Sequence, residues 1–312
     1  MMTHEPIPHP GHAGTGPSET MGLARVLVAT DFSPRSACAL VRALQLPLRE
    51  GAEILLVHAL PAGSAVGARH DEEEALIRHA LQEAVHQHER ATYTVRGVLV
   101  KGRPAEAILQ ATRDFGADLV VLGRPRRPGS LLARIRERVA GGIIPSIPTS
   151  LLVVGPPPVC PYRRPLVAVD FTAASRHALE ATFRLCPDAS RAVVLHDYDT
   201  SYELVLHQSG APSSRILEYQ REAKAWARAE LHRFLAPYRE TGMHFDELVR
   251  SGEACESILE IAQEEQADLV VVGRHMRAGL SRIVRPHLAE QVVRESTCDV
   301  LILEQEPGAD SP

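Results

Sequence analysis

ADLVVLGR (117–124) and ADLVVVGR (267–274) are one segment written twice, with seven identities in eight positions. Other landmarks return in the same order. ATDFS (29–33) recurs as AVDFT (168–172), LVHA (56–59) as VLHD (194–197), and GRPAEAIL (102–109) as GEACESIL (252–259). Repetition at a long, fixed period marks two copies of one structural unit. The run RVLVATD (25–31), bounded and without polar alternation, fits a strand buried on both faces, and the repeated segment itself reads as a strand.

Working outward from that strand, each copy spells the same series. In copy one, strands are expected at 25–31, 53–60, 92–100, 118–123 and 149–154. Helices are expected near 34–44, 71–90, 104–115 and 130–142, the first opened by Ser33 as N-cap and Pro34 at N1. Copy two repeats this with PLVAVDF, a helix at 173–186, RAVVLHD, a long helix near 213–240, MHFDELV, a helix at 254–265, DLVVVG, a helix near 280–295, and CDVLIL. Strands alternating with helices through short links predict a mostly parallel sheet covered on both faces.

The offsets between copies locate an insertion. Asp31 to Asp170 is 139 residues and His58 to His196 is 138, whereas Gly102 to Gly252 and Gly123 to Gly273 are both 150. About 12 residues therefore enter copy two between its second and third strands. They lengthen the loop HDYDTSYELVLHQSGAPSS and the helix after it, which carries Trp226, the single tryptophan. Core packing is the expected role of Trp226. The insertion could also serve as a docking element for a protein partner.

The expected organisation is a disordered tail over 1–21, a domain over 22–156, a proline-rich linker over 157–164, a second domain over 165–305 and a short tail over 306–312. At 312 residues, each copy has length enough for its own core. Formal charge is -5, which gives no global nucleic-acid footprint. No apolar run approaches the ~18 residues that span a bilayer, and residues 1–21 lack the apolar stretch of a secretory signal. Cys38, Cys160, Cys186, Cys255 and Cys298 form no CxxC and do not align between copies, which suits free thiols in a cytoplasmic protein. No metal site is expected.

Each copy resembles a universal stress protein domain, and the whole resembles the tandem type. Four features carry this: Asp31 and Asp170 closing the first strand, His58 and His196 near the end of the second, Gly102 and Gly252 before the third helix, and the ADLVV strand running into Gly-Arg. The resemblance implies two five-stranded parallel α/β sandwich domains, adenine nucleotide alpha hydrolase-like. Their strand order would be 3-2-1-4-5, paired through the terminal strands as an internal pseudo-dimer that leaves open a further homodimer.

Nucleotide-binding members of that family hold ATP with Gly-x2-Gly-x9-Gly-Ser/Thr after the fourth strand. Glycines let backbone N–H groups approach phosphates. The resemblance then implies Asp31 and Asp170 as ribose acceptors, and backbone at Ala59 and Asp197 for adenine. Gly123 and Gly273 would be the first glycines. The pattern is broken beyond them: Arg126 holds the second glycine position in copy one, with Arg136 and Glu137 at the final pair. Met276, Pro286 and His287 do the same in copy two. Arg126 and Arg136 admit two readings, guanidinium forks for a small anionic ligand or a solvated basic face. No G-x-S-x-G, GxxxxGK[ST], HExxH or GxGxxG occurs. The expectation is a non-catalytic stress-response protein that binds a ligand or partner without a cofactor. The alternative is an ATP-binding member with slow hydrolysis.

Overall fold

The structure, a computed structural model, describes residues 22–60, 68–88, 90, 92–124, 147–155, 157, 160–198, 201–273 and 288–304. Copy one runs β1 (Leu23–Ala29), α1 (Pro34–Gln45), β2 (Leu48–Leu60), α2 (Ala68–His88), β3 (Tyr93–Lys101), α3 (Pro104–Phe115), β4 (Leu119–Gly123) and β5 (Ser150–Val154). Copy two runs β6 (Pro165–Ala168), α4 (Ala173–Leu185), β7 (Arg191–Tyr198), α5 (Ser201–Gln208), α6 (Ser213–Leu235), β8 (His244–Ser251), α7 (Ala254–Glu264), β9 (Leu269–Gly273), α8 (Leu288–Glu295) and β10 (Asp299–Leu303). The helix expected near 130–142 and the first part of the one near 280–295 lie outside the described residues.

Local chemistry sets these elements. Ser33 and Thr172 cap α1 and α4 by accepting the N–H of Ser36 and Ser175. Gly102 and Gly252 turn the chain into α3 and α7 at φ of +144° and +148°, a region only glycine enters freely. The repeated ADLVV keeps its acid for a structural reason. Asp118 Oδ2 accepts the N–H groups of Ala24 and Arg25, both at 2.8 Å. Asp268 does the same for Arg163 at 2.8 Å and Arg164 at 3.0 Å. Each carboxylate thus ties the start of its copy's first strand to the fourth.

The described strands form a single ten-stranded sheet in the order β3-β2-β1-β4-β5-β10-β9-β6-β7-β8. Each half has the expected 3-2-1-4-5 winding, parallel throughout. The halves meet antiparallel, with Val153 opposite Val300 and Leu152 opposite Leu301. Every residue of β10 is buried, as are Leu151 to Val154. Each terminal edge is therefore closed by the other copy.

That junction changes the core. Instead of one core per copy, two continuous layers lie on opposite faces of the shared sheet. One joins Val28, Leu56 and Leu152 with Val167, Leu231 and Leu301. The other joins Leu27, Ile108 and Val153 with Leu166, Ile258 and Val300. The side chains of β5 and β10 alternate between the layers, so both layers cross the junction.

A polar lock crosses it too. Asp299, fully buried, accepts from Arg42 Nε at 2.8 Å, the Tyr162 hydroxyl at 2.7 Å and the Gly155 N–H at 2.8 Å. Arg42 also donates to the Cys160 carbonyl at 2.8 Å and lies 4.1 Å over the Tyr162 ring. Burial and the Asp299 charge push the Tyr162 hydroxyl well above its ordinary pKa. The repeat places Ser150 at the position of Asp299, each beside the first residue of its fourth strand, and Ala181 at that of Arg42, so the lock is made once, not twice.

Copy two departs from expectation in three places. The stretch after β7 is not simply a loop: it holds α5, whose Leu206 is buried and whose Tyr202 meets Tyr219 of α6 edge-on at 5.2 Å. The long helix stops at Leu235 and tightens into a 3-10 turn, Ala236–Thr241, because Pro237 cannot continue the α ladder. Trp226 is not core; it stands 42% exposed, and Ala227, Leu231, Phe234 and Leu235 make the buried stripe of α6 instead.

Candidate functional site

In a 3-2-1-4-5 sheet the winding reverses between the first and fourth strands, and ligands bind outside their carboxyl ends. Ala29 lies opposite Leu122, so Asp31 and Phe32 follow β1 into the crevice where β4 ends at Gly123. Copy two places Asp170 and Phe171 after β6, beside β9 and Gly273.

The residue after each Asp is an aromatic in the left-handed region, Phe32 at φ 57° and Phe171 at φ 63°. Such a residue stores about 1–3 kcal/mol of strain and clusters at functional sites. The turn aims each ring at the histidine of the neighbouring strand. Phe32 meets His58 at 5.0 Å between centroids, and Phe171 meets His196 at 4.0 Å, both tilted by 31°. Each imidazole donates its Nδ1 proton to a carbonyl of the first strand's end: His58 to Thr30 at 2.8 Å, His196 to Val169 at 2.9 Å. In a neutral ring that bond leaves Nε2 as an acceptor. His196 is buried, and desolvation lowers its pKa, so it is neutral.

The aspartates differ. Asp31 is exposed, and its Oδ1 accepts the Ser33 N–H at 3.1 Å. Burial pushes its carboxyl up, but hydrogen bonding from Ser33 and Ser36 outweighs this and holds it below its ordinary pKa. Asp170 is half-buried, and its Oδ1 accepts the Thr172 hydroxyl at 2.5 Å, the Ser175 hydroxyl at 2.6 Å and the Thr172 N–H at 3.2 Å.

Gly123 has a packing explanation. A Cβ there would meet the Arg35 carbonyl oxygen at 2.4 Å, so the glycine admits the first turn of α1. Arg124, the arginine into which the first ADLVV strand runs, turns into the junction. It donates to the carbonyls of Ser296 and, at 2.5 Å, Cys298, while Arg35 donates to its own carbonyl at 2.7 Å. Burial draws its pKa below the usual arginine value. Arg126 and Arg136 lie outside the described residues.

At the end of the second strand, Ala59 is half-buried, and Asp197 accepts the Ser257 hydroxyl of α7 at 2.7 Å. Asp31, Ala59 and Gly123 thus lie at the carboxyl ends of three adjacent strands, and Asp170, Asp197 and Gly273 at their counterparts in copy two. Sequence reasoning assigned Phe32 and Phe171 no role. Their signal was present, because ATDFS and AVDFT keep the aromatic in both copies. Among the described residues, no group of three or more His, Cys, Asp or Glu is placed to hold a metal.

Two parallel α/β units wound 3-2-1-4-5, joined edge to edge and ending in Asp-aromatic turns at the reversal point, define a duplicated fold of the adenine nucleotide alpha hydrolase-like class. The chain matches the universal stress protein family over residues 22–155 and again over 161–304. The universal stress protein YxiE of Bacillus subtilis is 28% identical over 149 residues, 46% of this chain and 99% of that protein. MJ0577 of Methanocaldococcus jannaschii, also named a universal stress protein, is 23% identical over 157 residues, 46% of this chain and 96% of its own length. A crystal structure of a universal stress protein from Archaeoglobus fulgidus superposes with a TM-score of 0.65 at 17% identity, covering 91% of this chain and 97% of that one. This chain belongs to the universal stress protein family and carries its domain twice.

Proposed function

We propose that this chain is a ligand-binding protein of the stress response, acting in the cytoplasm without catalytic turnover. The observation that supports this reading most is the copy-one crevice: an exposed carboxylate, an exposed aromatic ring and an imidazole acceptor, gathered where such sheets bind ligands. The groups suit recognition better than chemistry. A general base for neutral pH needs a raised carboxyl pKa, and Asp31's is lowered. A small anionic ligand fits best, with its ring or diol at Asp31 and Phe32 and its charge met by guanidinium groups of Arg126 and Arg136.

The second reading is tight ATP binding with slow hydrolysis, favoured by the Asp at the end of each first strand. Against it stand the side chains that replace the later glycines, and Gly123, whose presence α1 packing already accounts for. Calorimetry with ATP and Mg²⁺, paired with a phosphate-release assay, separates the two. Binding no tighter than about 100 μM, or ~−5.5 kcal/mol, with release equal to the protein-free control, is expected. A low-micromolar dissociation constant abolished by Asp31→Ala or Asp170→Ala, accompanied by phosphate release, would establish the second reading.

A further inference from the structure

The two crevices share their aspartate, aromatic and histidine, but not their access. Phe171 is only half-exposed: Phe234 of α6 lies 5.5 Å away, itself 9% exposed, and His196, which Phe171 meets, is 5% exposed. Arg176 sits 5.6 Å over the Phe234 ring. In copy one the same ring, Phe32, is 40% exposed. The repeat explains why. Subtracting the 150-residue offset from Phe234 gives Ala84 of α2. The neighbouring positions match in the same register: Leu231 with Leu81, both buried, and Leu235 with Val85, both packed in the same layer. A phenyl ring in copy two thus stands where copy one has a methyl group.

The carboxylates diverge with the rings. Val169 precedes Asp170, and both nearby hydroxyls close on Asp170 at 2.5 and 2.6 Å. Thr30 precedes Asp31 and donates to Ser36 at 3.2 Å, while the Ser36 hydroxyl also lies 3.0 Å from the Ser33 carbonyl. The serine hydroxyl that bonds Asp170 also bonds Asp31 in copy one, but there it is shared with Thr30 and the Ser33 carbonyl, and Asp31 is exposed where Asp170 is half-buried, so Asp31 keeps acceptor capacity for a ligand.

From this we infer that copy one alone is open to ligand: Phe32 is a stacking platform for a planar ring whose hydroxyl or amine donors reach Asp31, and Phe234 fills the corresponding space in copy two. The inference rests on the ligand-binding reading and sharpens it to one site per chain. Phe234 and Ala84 are the residues that set the difference.

AMP, with adenosine as its uncharged control, is the probe, followed by ligand-observed NMR and calorimetry on the full chain. Phe32→Ala should weaken AMP binding by about tenfold or more, within what one base–aromatic stack contributes. Ala84→Phe should weaken it as much, whereas Phe171→Ala should change it less than about twofold. Phe234→Ala should create a second, weaker site that the further change Phe171→Ala removes. Phe32 is an exposed ring, so its truncation leaves the core intact, and melting curves confirm the fold of each variant. If AMP binds but Phe32→Ala has no effect, or Phe171→Ala weakens binding as much, the asymmetry is wrong and the ligand-binding reading survives. If neither AMP nor adenosine binds the wild-type or the Phe234→Ala chain, both are wrong.

Discussion

Asp299 shows how one residue can decide the stability of a junction. It is a buried anion whose only cationic contact at hydrogen-bond distance among the described residues, Arg42, comes from the other copy. Removing one member of a buried pair strands the other, at a cost of about 3–5 kcal/mol. Asp299→Asn should lower unfolding free energy by that amount in urea titrations. Glu53→Gln, which removes the exposed partner of Arg96 at 3.2 Å, should cost no more than about 1 kcal/mol. His196 gives a pH signature. Burial lowers its pKa from 6.5, so the folded chain keeps it neutral while the unfolded chain takes up a proton near that value. Protons then bind preferentially to the unfolded state, and stability falls as pH drops through 6.5 towards the folded-state value. The loss of melting temperature between about pH 7.5 and pH 5 should be smaller in His196→Gln than in the wild type, measured by calorimetry.

Among the elements, the turn from β4 carries the sharpest conflict between two explanations of one glycine. If Gly123 exists to admit α1, Gly123→Ala forces the Cβ against the Arg35 carbonyl. The variant should lose about 1–3 kcal/mol of stability, the usual range for overpacking. If the glycine exists for a phosphate, stability should hold and only ligand affinity should fall. Thermal denaturation of the variant without ligand distinguishes these. Elements whose apolar period was clean were legible in the sequence. The α6 stripe was less so, because Trp226 looks like core on composition alone, and only the packing of Ala227 and Leu231 shows which face is inward. The insertion was located by arithmetic on the repeat. Its helix, α5, was hidden because it packs against α6, a contact that no local pattern reports.

At the scale of the whole molecule, duplication made the architecture readable. The family resemblance implied the strand order and the pairing of β5 with β10, and the two apolar terminal strands, each needing a partner edge, agree with it. The shared core and the lock were not readable, since both depend on where Arg42, Tyr162 and Asp299 come together. The crevice was half legible. The repeat named its aspartates and histidines, but it could not show that Phe234 half-covers the ring of one copy and leaves that of the other exposed. The central claim is a binding protein without a tight triphosphate cradle, open at one site. Its most direct test is the small-molecule content of the freshly purified full chain, released by denaturation and measured by mass spectrometry. The account predicts no stoichiometric ATP and at most one small molecule per chain. One or two equivalents of ATP per chain would contradict it.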